Sequence, residues 1–109
     1  MLKDLLIENL ENLGLIRFSN SFGWICIYTG KNMFGGYKVI DDNILLLFLI
    51  LSEEGFENSL AEGFIKFDFG KTWAETEISG EDDLERILFY LRDAFEYSMI
   101  RRDKNKKFK

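Results

Sequence analysis

Between Gly14 and Gly80 the apolar residues stop recurring every third or fourth position and gather into short runs separated by turn residues. On either side of that stretch the 3.6-residue period of a helix holds. Such a layout constrains the chain to a sheet framed by two helices. The first helix is expected over roughly residues 3–13, with Leu2, Leu5, Leu6, Leu10 and Leu13 on one face and Asp4 near its positive end. Gly14 reads as its stop, with Leu15 folding back on the last turn. The second runs from about residue 80 to 100. Leu84, Ile87, Leu88, Leu91, Ala94, Phe95 and Met99 form its stripe, Ser79 its N-cap, and Asp82 a partial capping box.

Five strands fall between. Trp24–Tyr28 and Ile44–Leu51 are apolar on both faces, as central strands are. Met33–Ile40 is interrupted by Gly35-Gly36, which points to a bulge or close backbone approach. Thr29–Asn32 and Asp41–Asn43 read as turns. Ser52–Gly63 is a polar connection with at most one helical turn around Phe56–Leu60. Phe64–Phe69 and Thr72–Ile78 flank Gly70-Lys71, whose glycine-first order suits a type II′ hairpin. That register pairs Phe67 with Ala74 and Lys66 with Glu75. It puts Ile65, Phe67, Phe69, Ala74 and Ile78 on the core face, and Lys66, Asp68, Trp73, Glu75 and Glu77 on the outer one. The expected fold is α+β: a mostly antiparallel five-stranded meander sheet with N-terminal and C-terminal helices packed on it. Residues 1–100 form one domain and 101–109 a basic, disordered tail.

Charge is unevenly spread. Residues 1–100 hold 8 Lys+Arg against 18 Asp+Glu, a net of −10, whereas 101–109 (RRDKNKKFK) carry +5. From Glu53 to Glu85 there are 11 acids and only Lys66 and Lys71, a net of −9. A field of that sign repels phosphate backbones and attracts basic surfaces. A basic protein partner is expected, with no direct nucleic-acid binding. The tail reads as a solubilising segment or a contact for RNA or an acidic partner. The longest apolar run is eight residues, Ile44 to Leu51. A membrane helix needs about 20, so no membrane is expected. One cysteine builds no internal disulfide framework, and a cytoplasmic setting follows as the default.

The chain has no histidine, which removes the commonest general base and the usual zinc ligand. Cys26 lies in an apolar run and reads as core. Gly70-Lys71-Thr72 resembles the end of a phosphate loop, but Ile65 stands where that motif needs its first glycine. Glu81, Asp82, Asp83 and Glu85 lack the spacing of a calcium loop and suit helix capping. No catalytic residues, metal or cofactor are expected. The candidate partner-binding residues are Asp68, Trp73, Glu75, Glu77, Glu81, Asp82 and Asp83: a tryptophan among acids resembles an interface anchor in a charged rim. Tyr90 and Tyr97, seven residues apart, read either as a seam for a partner or second copy, or as cover for a sheet edge.

Met33-Phe34-Gly35-Gly36-Tyr37 is similar to the Met-Phe-Gly-Gly-Tyr stretch of TfoX N-terminal-like domains. The strand order closed by EDDLERILFYLRDAFEYS, residues 81–98, resembles that group and the YdhG-like small α+β domains. This implies a small-ligand or regulatory domain with a pocket between sheet and helix near Gly35-Gly36. Small size, acidity and a plain α+β sheet resemble the immunity proteins of bacterial toxin systems. That likeness implies a non-catalytic inhibitor that neutralises a basic, nuclease-like toxin.

Overall fold

A computed structural model describes residues 1–107, with side chains up to Arg101. The chain runs α1 (Leu2–Glu11), β1 (Arg17–Ser21), β2 (Trp24–Thr29), β3 (Asn32–Asp41), β4 (Ile44–Ile50), α2 (Glu53–Ala61), β5 (Ile65–Lys66), β6 (Trp73–Ser79) and α3 (Glu81–Lys107). The α+β class and the antiparallel sheet are as the sequence implies. The sheet has six strands rather than five, in the order β1-β2-β3-β4-β6-β5, and every described pair is antiparallel. The meander holds through β4. The chain then leaves through α2 and returns with β6 beside β4 and β5 on the edge.

The core lies on the helix-bearing face. Leu2, Leu6 and Leu10 of α1 meet Leu45, Leu47 and Leu49 of β4, Ala74 and Ile78 of β6, and Leu84, Ile87, Leu91 and Ala94 of α3 in one cluster. Burying each large side chain contributes roughly 1.5–3 kcal/mol. Thr29 and Ser98, both buried, pair their hydroxyls at 2.7 Å, and Ser98 also donates to the Phe95 carbonyl at 2.6 Å. This joins α3 to the end of β2. No helix among the described residues is long and apolar enough to cross a membrane.

Several local expectations change. Strand β1 was not anticipated, and α2 is a nine-residue helix rather than a polar connection. Ser52 caps α2 by accepting from the Gly55 N–H at 3.0 Å. Asp93 of α3 holds Ser52 in turn, accepting from its N–H at 2.9 Å and its hydroxyl at 2.8 Å. Leu15 is exposed and does not fold back on α1. Helix α3 starts after Gly80, one residue beyond the expected cap, and it is Asp83 rather than Asp82 that reaches back, accepting from the Ser79 N–H at 2.9 Å. Met99 is exposed, whereas Tyr90 is buried against Phe64, so Tyr90 offers no surface seam. Of the expected disordered tail, residues 101–107 continue α3 and the Arg101 side chain donates to the Met33 carbonyl, while the side chains of 102–107 and all of Phe108 and Lys109 lie outside the described residues.

The β5–β6 hairpin differs most. Ile65 pairs with Glu75 and Lys66 with Ala74, one residue out of the expected register. Residues 67–72 form a wide loop, not a two-residue turn. The Phe67 N–H donates to the Trp73 carbonyl at 2.8 Å. The Trp73 indole lies against Gly70, where a Cβ would come within 2.4 Å of Nε1. Phe67 and Phe69 thereby leave the core face for the opposite one. The helices already fill the core side of β4 and β6, and the open face supplies aromatic neighbours.

Candidate functional site

The face of the sheet turned away from the helices carries the molecule's most distinctive surface. Alternation along each strand selects its residues. Strand β2 presents Trp24, Cys26 and Tyr28, β3 presents Met33, β4 presents Phe48, and β6 presents Trp73. Phe67 and Phe69 join from the loop, and Ser21 and Phe22 from the β1–β2 tip. Together they line an apolar cup of about 410 Å³. Phe48 forms its floor. Its ring stacks on Trp73 at 5.4 Å and 5°, and on Phe67 at 5.0 Å and 24°, and takes the Trp24 edge at 5.0 Å and 86°. Offset-stacked and edge-to-face contacts of this kind contribute ~0.5–1.5 kcal/mol each beyond area burial.

Gly36 explains the floor. It is paired with both Cys26 and Phe48, and a Cβ there would come within 2.4 Å of Phe48 Cε2. The missing side chain is the space the phenyl ring fills. Gly35, on the other face, is closed off by the Phe48 carbonyl and the Leu49 side chain. The cup thus lies on the face away from the helices, whereas the expected pocket lay between sheet and helix near Gly35-Gly36. The expected bulge is present: the β2–β3 register shifts between Ile27 and Tyr28, leaving Phe34 unpaired and buried against Phe95.

Two aromatic side chains project at the rim. Phe22 is 97% exposed and Phe69 75% exposed. Phe22 sits at φ 53° and Gly23 at φ 80°, the pair of positive values a type I′ hairpin requires. Asn-Gly is the favoured occupant of that turn. A bulky side chain at positive φ is an outlier costing about 1–2 kcal/mol, so the turn holds an exposed ring at the expense of local backbone strain.

The candidate partner-binding residues separate into three groups. Trp73, Glu75 and Glu77 share the open face of β6, opposite Ile50, Phe48 and Leu46 respectively. The acids thus continue the line of the cup along the strand. Asp68 is 96% exposed in the loop, beside Lys66 at 4.0 Å. The expected Lys66–Glu75 cross-strand pair is absent, because Ile65 faces Glu75. Glu81 and Asp82 are exposed at the start of α3. Asp83 is committed internally. Arg86 donates to it at 2.6 Å, and that hydrogen bond, more than the backbone N–H of Ser79, holds its carboxyl below the usual range. Trp73 is half-buried in the cup rather than free-standing, and the exposed aromatic side chains at its rim are Phe22 and Phe69, outside the expected set. The Trp24-x-Cys26-x-Tyr28 alternation was the available signal for the cup.

Cys26 is buried at the floor, and burial pushes its thiol up, away from the reactive thiolate. Lys38 places its ammonium 4.6 Å from the Trp24 ring. Among the described residues no three His, Cys, Asp or Glu side chains stand together so as to hold a metal ion. No protein-family model matches this chain, and no curated protein matches its sequence.

Proposed function

We propose that the chain is a non-catalytic, acidic protein-binding domain of the immunity or inhibitor type, which docks a basic partner on the open face of its sheet. One observation carries this reading: strand β6 places Glu75 and Glu77 in line with Trp73, so an acidic row runs directly out of an aromatic cup. Aromatic anchors ringed by charge are where binding energy concentrates in interfaces. The acids steer a basic surface into encounter, and the cup then desolvates an apolar side chain of the partner. The net −9 between Glu53 and Glu85 supplies the long-range field. A free buried Cys26 fits a reducing compartment, the cytoplasm of a bacterial cell in this reading.

The test is a pull-down from host extract with the wild type, E75K/E77K and Phe69→Ser side by side, eluted stepwise with salt. A stoichiometric basic protein that the wild type retains, the variants lose, and whose activity the pure chain blocks is the expected result. Capture that ignores both variants refutes the reading.

A cup of about 410 Å³ also lies within the usual size range of small-ligand sites, which favours a ligand-binding regulatory domain as the second reading. A metabolite that raises the melting temperature of the wild type, and no longer does so when Gly36→Ala displaces the floor, would favour it over the first.

A further inference from the structure

We propose that the open face also receives the basic C-terminal segment of a second copy of this chain, with Phe108 anchored in the aromatic cup. The inference rests on the reading of that face as a docking surface and names an occupant for it. Residues 104–109 read Lys-Asn-Lys-Lys-Phe-Lys, a single aromatic residue flanked by four lysines. The open face offers the complement. Its cup is apolar, rimmed by the exposed Phe22 and Phe69, and large enough for a phenyl ring. Beside it stand Glu75, Glu77 and Asp68, so a ring in the cup brings its neighbouring lysines over the acids. The charges match over longer range as well: +5 in residues 101–109 against −9 between Glu53 and Glu85.

Geometry favours a neighbouring copy over the chain's own end. Helix α3 packs on the face opposite the cup, and Arg101 donates to the Met33 carbonyl at 2.9 Å. The helix then continues to Lys107, about 9 Å farther along its axis. Phe108 follows one residue later, at most ~3.6 Å farther. Because α3 packs on the opposite face, a copy would have to turn its segment back around the sheet to fill its own cup, whereas a neighbour's segment can arrive on the open face directly. The contact is head-to-tail, and contacts of that type build rings or open chains rather than closing on a two-fold axis.

The test is sedimentation velocity on the full chain over a concentration series, at low and high salt. Mass that grows with concentration and falls back to monomer at high salt is expected. Phe108→Ala, lacking the anchor, and Phe69→Ser, lacking the rim, should each remain monomeric. Phe22→Asn, whose new side chain suits the hairpin, serves as the rim variant should Phe69→Ser fold poorly. Mixing the Phe108 variant with the rim variant is decisive. One retains an intact cup and the other an intact segment, so the mixture should yield a 1:1 dimer and nothing larger. A chain that stays monomeric throughout overturns the proposal. So does assembly that survives both substitutions, or a cup covered by Phe108 independently of concentration. The partner reading fails separately: host-protein capture that ignores E75K/E77K refutes it whatever the sedimentation shows, and a monomeric chain leaves it standing.

Discussion

Substituting alanine for Gly36 tests whether the aromatic floor is rigid. The new Cβ would stand 2.4 Å from Phe48 Cε2 and 2.8 Å from Cζ. Carbon atoms prefer about 3.5–4.0 Å, so the ring must retreat by about 1 Å or more. Its retreat runs into a cluster of rings: Trp73, Phe67 and the Trp24 edge all lie within 5.0–5.4 Å of it, and they are packed against one another, with Phe67 6.2 Å from Trp73 and 5.5 Å from Trp24. Overpacking of this kind costs roughly 1–3 kcal/mol. The stiffer unfolded chain offsets ~0.4–1 kcal/mol of that. The net expectation is a destabilisation of about 1–2 kcal/mol, and a melting temperature lower by about 4–16 °C for a domain of this size. Urea unfolding followed by tryptophan fluorescence measures both consequences, because Trp24 and Trp73 border the displaced ring. The midpoint should fall with the slope unchanged, and the native emission should shift. Gly63→Ala is the control. It sits at φ +101° with nothing within 4 Å, so it strains the backbone and leaves the native emission alone. A Gly36→Ala protein as stable as the wild type would refute the argument that Phe48 is pinned.

Phe22→Asn exchanges an exposed ring at positive φ for the residue that type I′ turns prefer; urea unfolding should show a stabilisation of up to ~1 kcal/mol, with partner capture reduced. Ser98→Ala leaves the buried Thr29 hydroxyl without its partner and should cost ~1–3 kcal/mol; the Thr29→Val/Ser98→Ala pair should cost less than the sum of the single changes. Asp93→Ala removes both acceptors that hold Ser52 and should cost ~1–3 kcal/mol by urea unfolding, against less than ~0.5 for the exposed Arg92→Ala. Folding holds the Asp83 carboxyl below its ordinary value, chiefly through the Arg86 hydrogen bond, so its stabilisation is complete above the ordinary carboxylate range and fades as pH falls through the lower folded value; the gap in urea midpoint between wild type and Asp83→Asn should therefore be widest near neutral pH and close on acidification.

Helices α1 and α3 were legible because their apolar spacing is periodic, and β2 to β4 because their runs are bounded by turn residues. Strand β1 was not, since RFSNS holds a single apolar residue and pairs only along one edge. Helix α2 was missed for a related reason. EEGFENSLA carries a glycine and little apolar surface, and its start is fixed by Asp93, a residue some forty positions away. The hairpin register was underdetermined locally. Ile65, Phe67 and Phe69 alternate equally well in either register, and the Gly70-Lys71 signal supported the wrong one. In the fold Trp73 lies over Gly70 and packs against both phenylalanines on the open face. The acidic row was legible in part: Glu75 and Glu77 share the face foreseen for them with Trp73, but Asp83 is occupied by Arg86.

That change of face accounts for the character of the candidate site. Strand β4 is apolar on both sides, yet all the helices cover only one. Phe48 and Ile50 are nevertheless buried, and what covers Phe48 is aromatic: Trp24, Phe67 and Trp73. Those covering residues are only half-buried themselves, so the open face is the second wall of β4 and, in the proposed reading, also the surface a partner would meet. The two roles predict different consequences by position. Truncating Trp73 or Phe67 uncovers Phe48 and lowers stability together with any binding, so loss of function there cannot be assigned to contact. Phe22 and Phe69 stand at the rim, exposed, and neither is among the rings that meet Phe48, although Phe69 packs on Phe67 and Trp73. Binding that depends on these two in a protein of undiminished stability would isolate the docking role from the structural one.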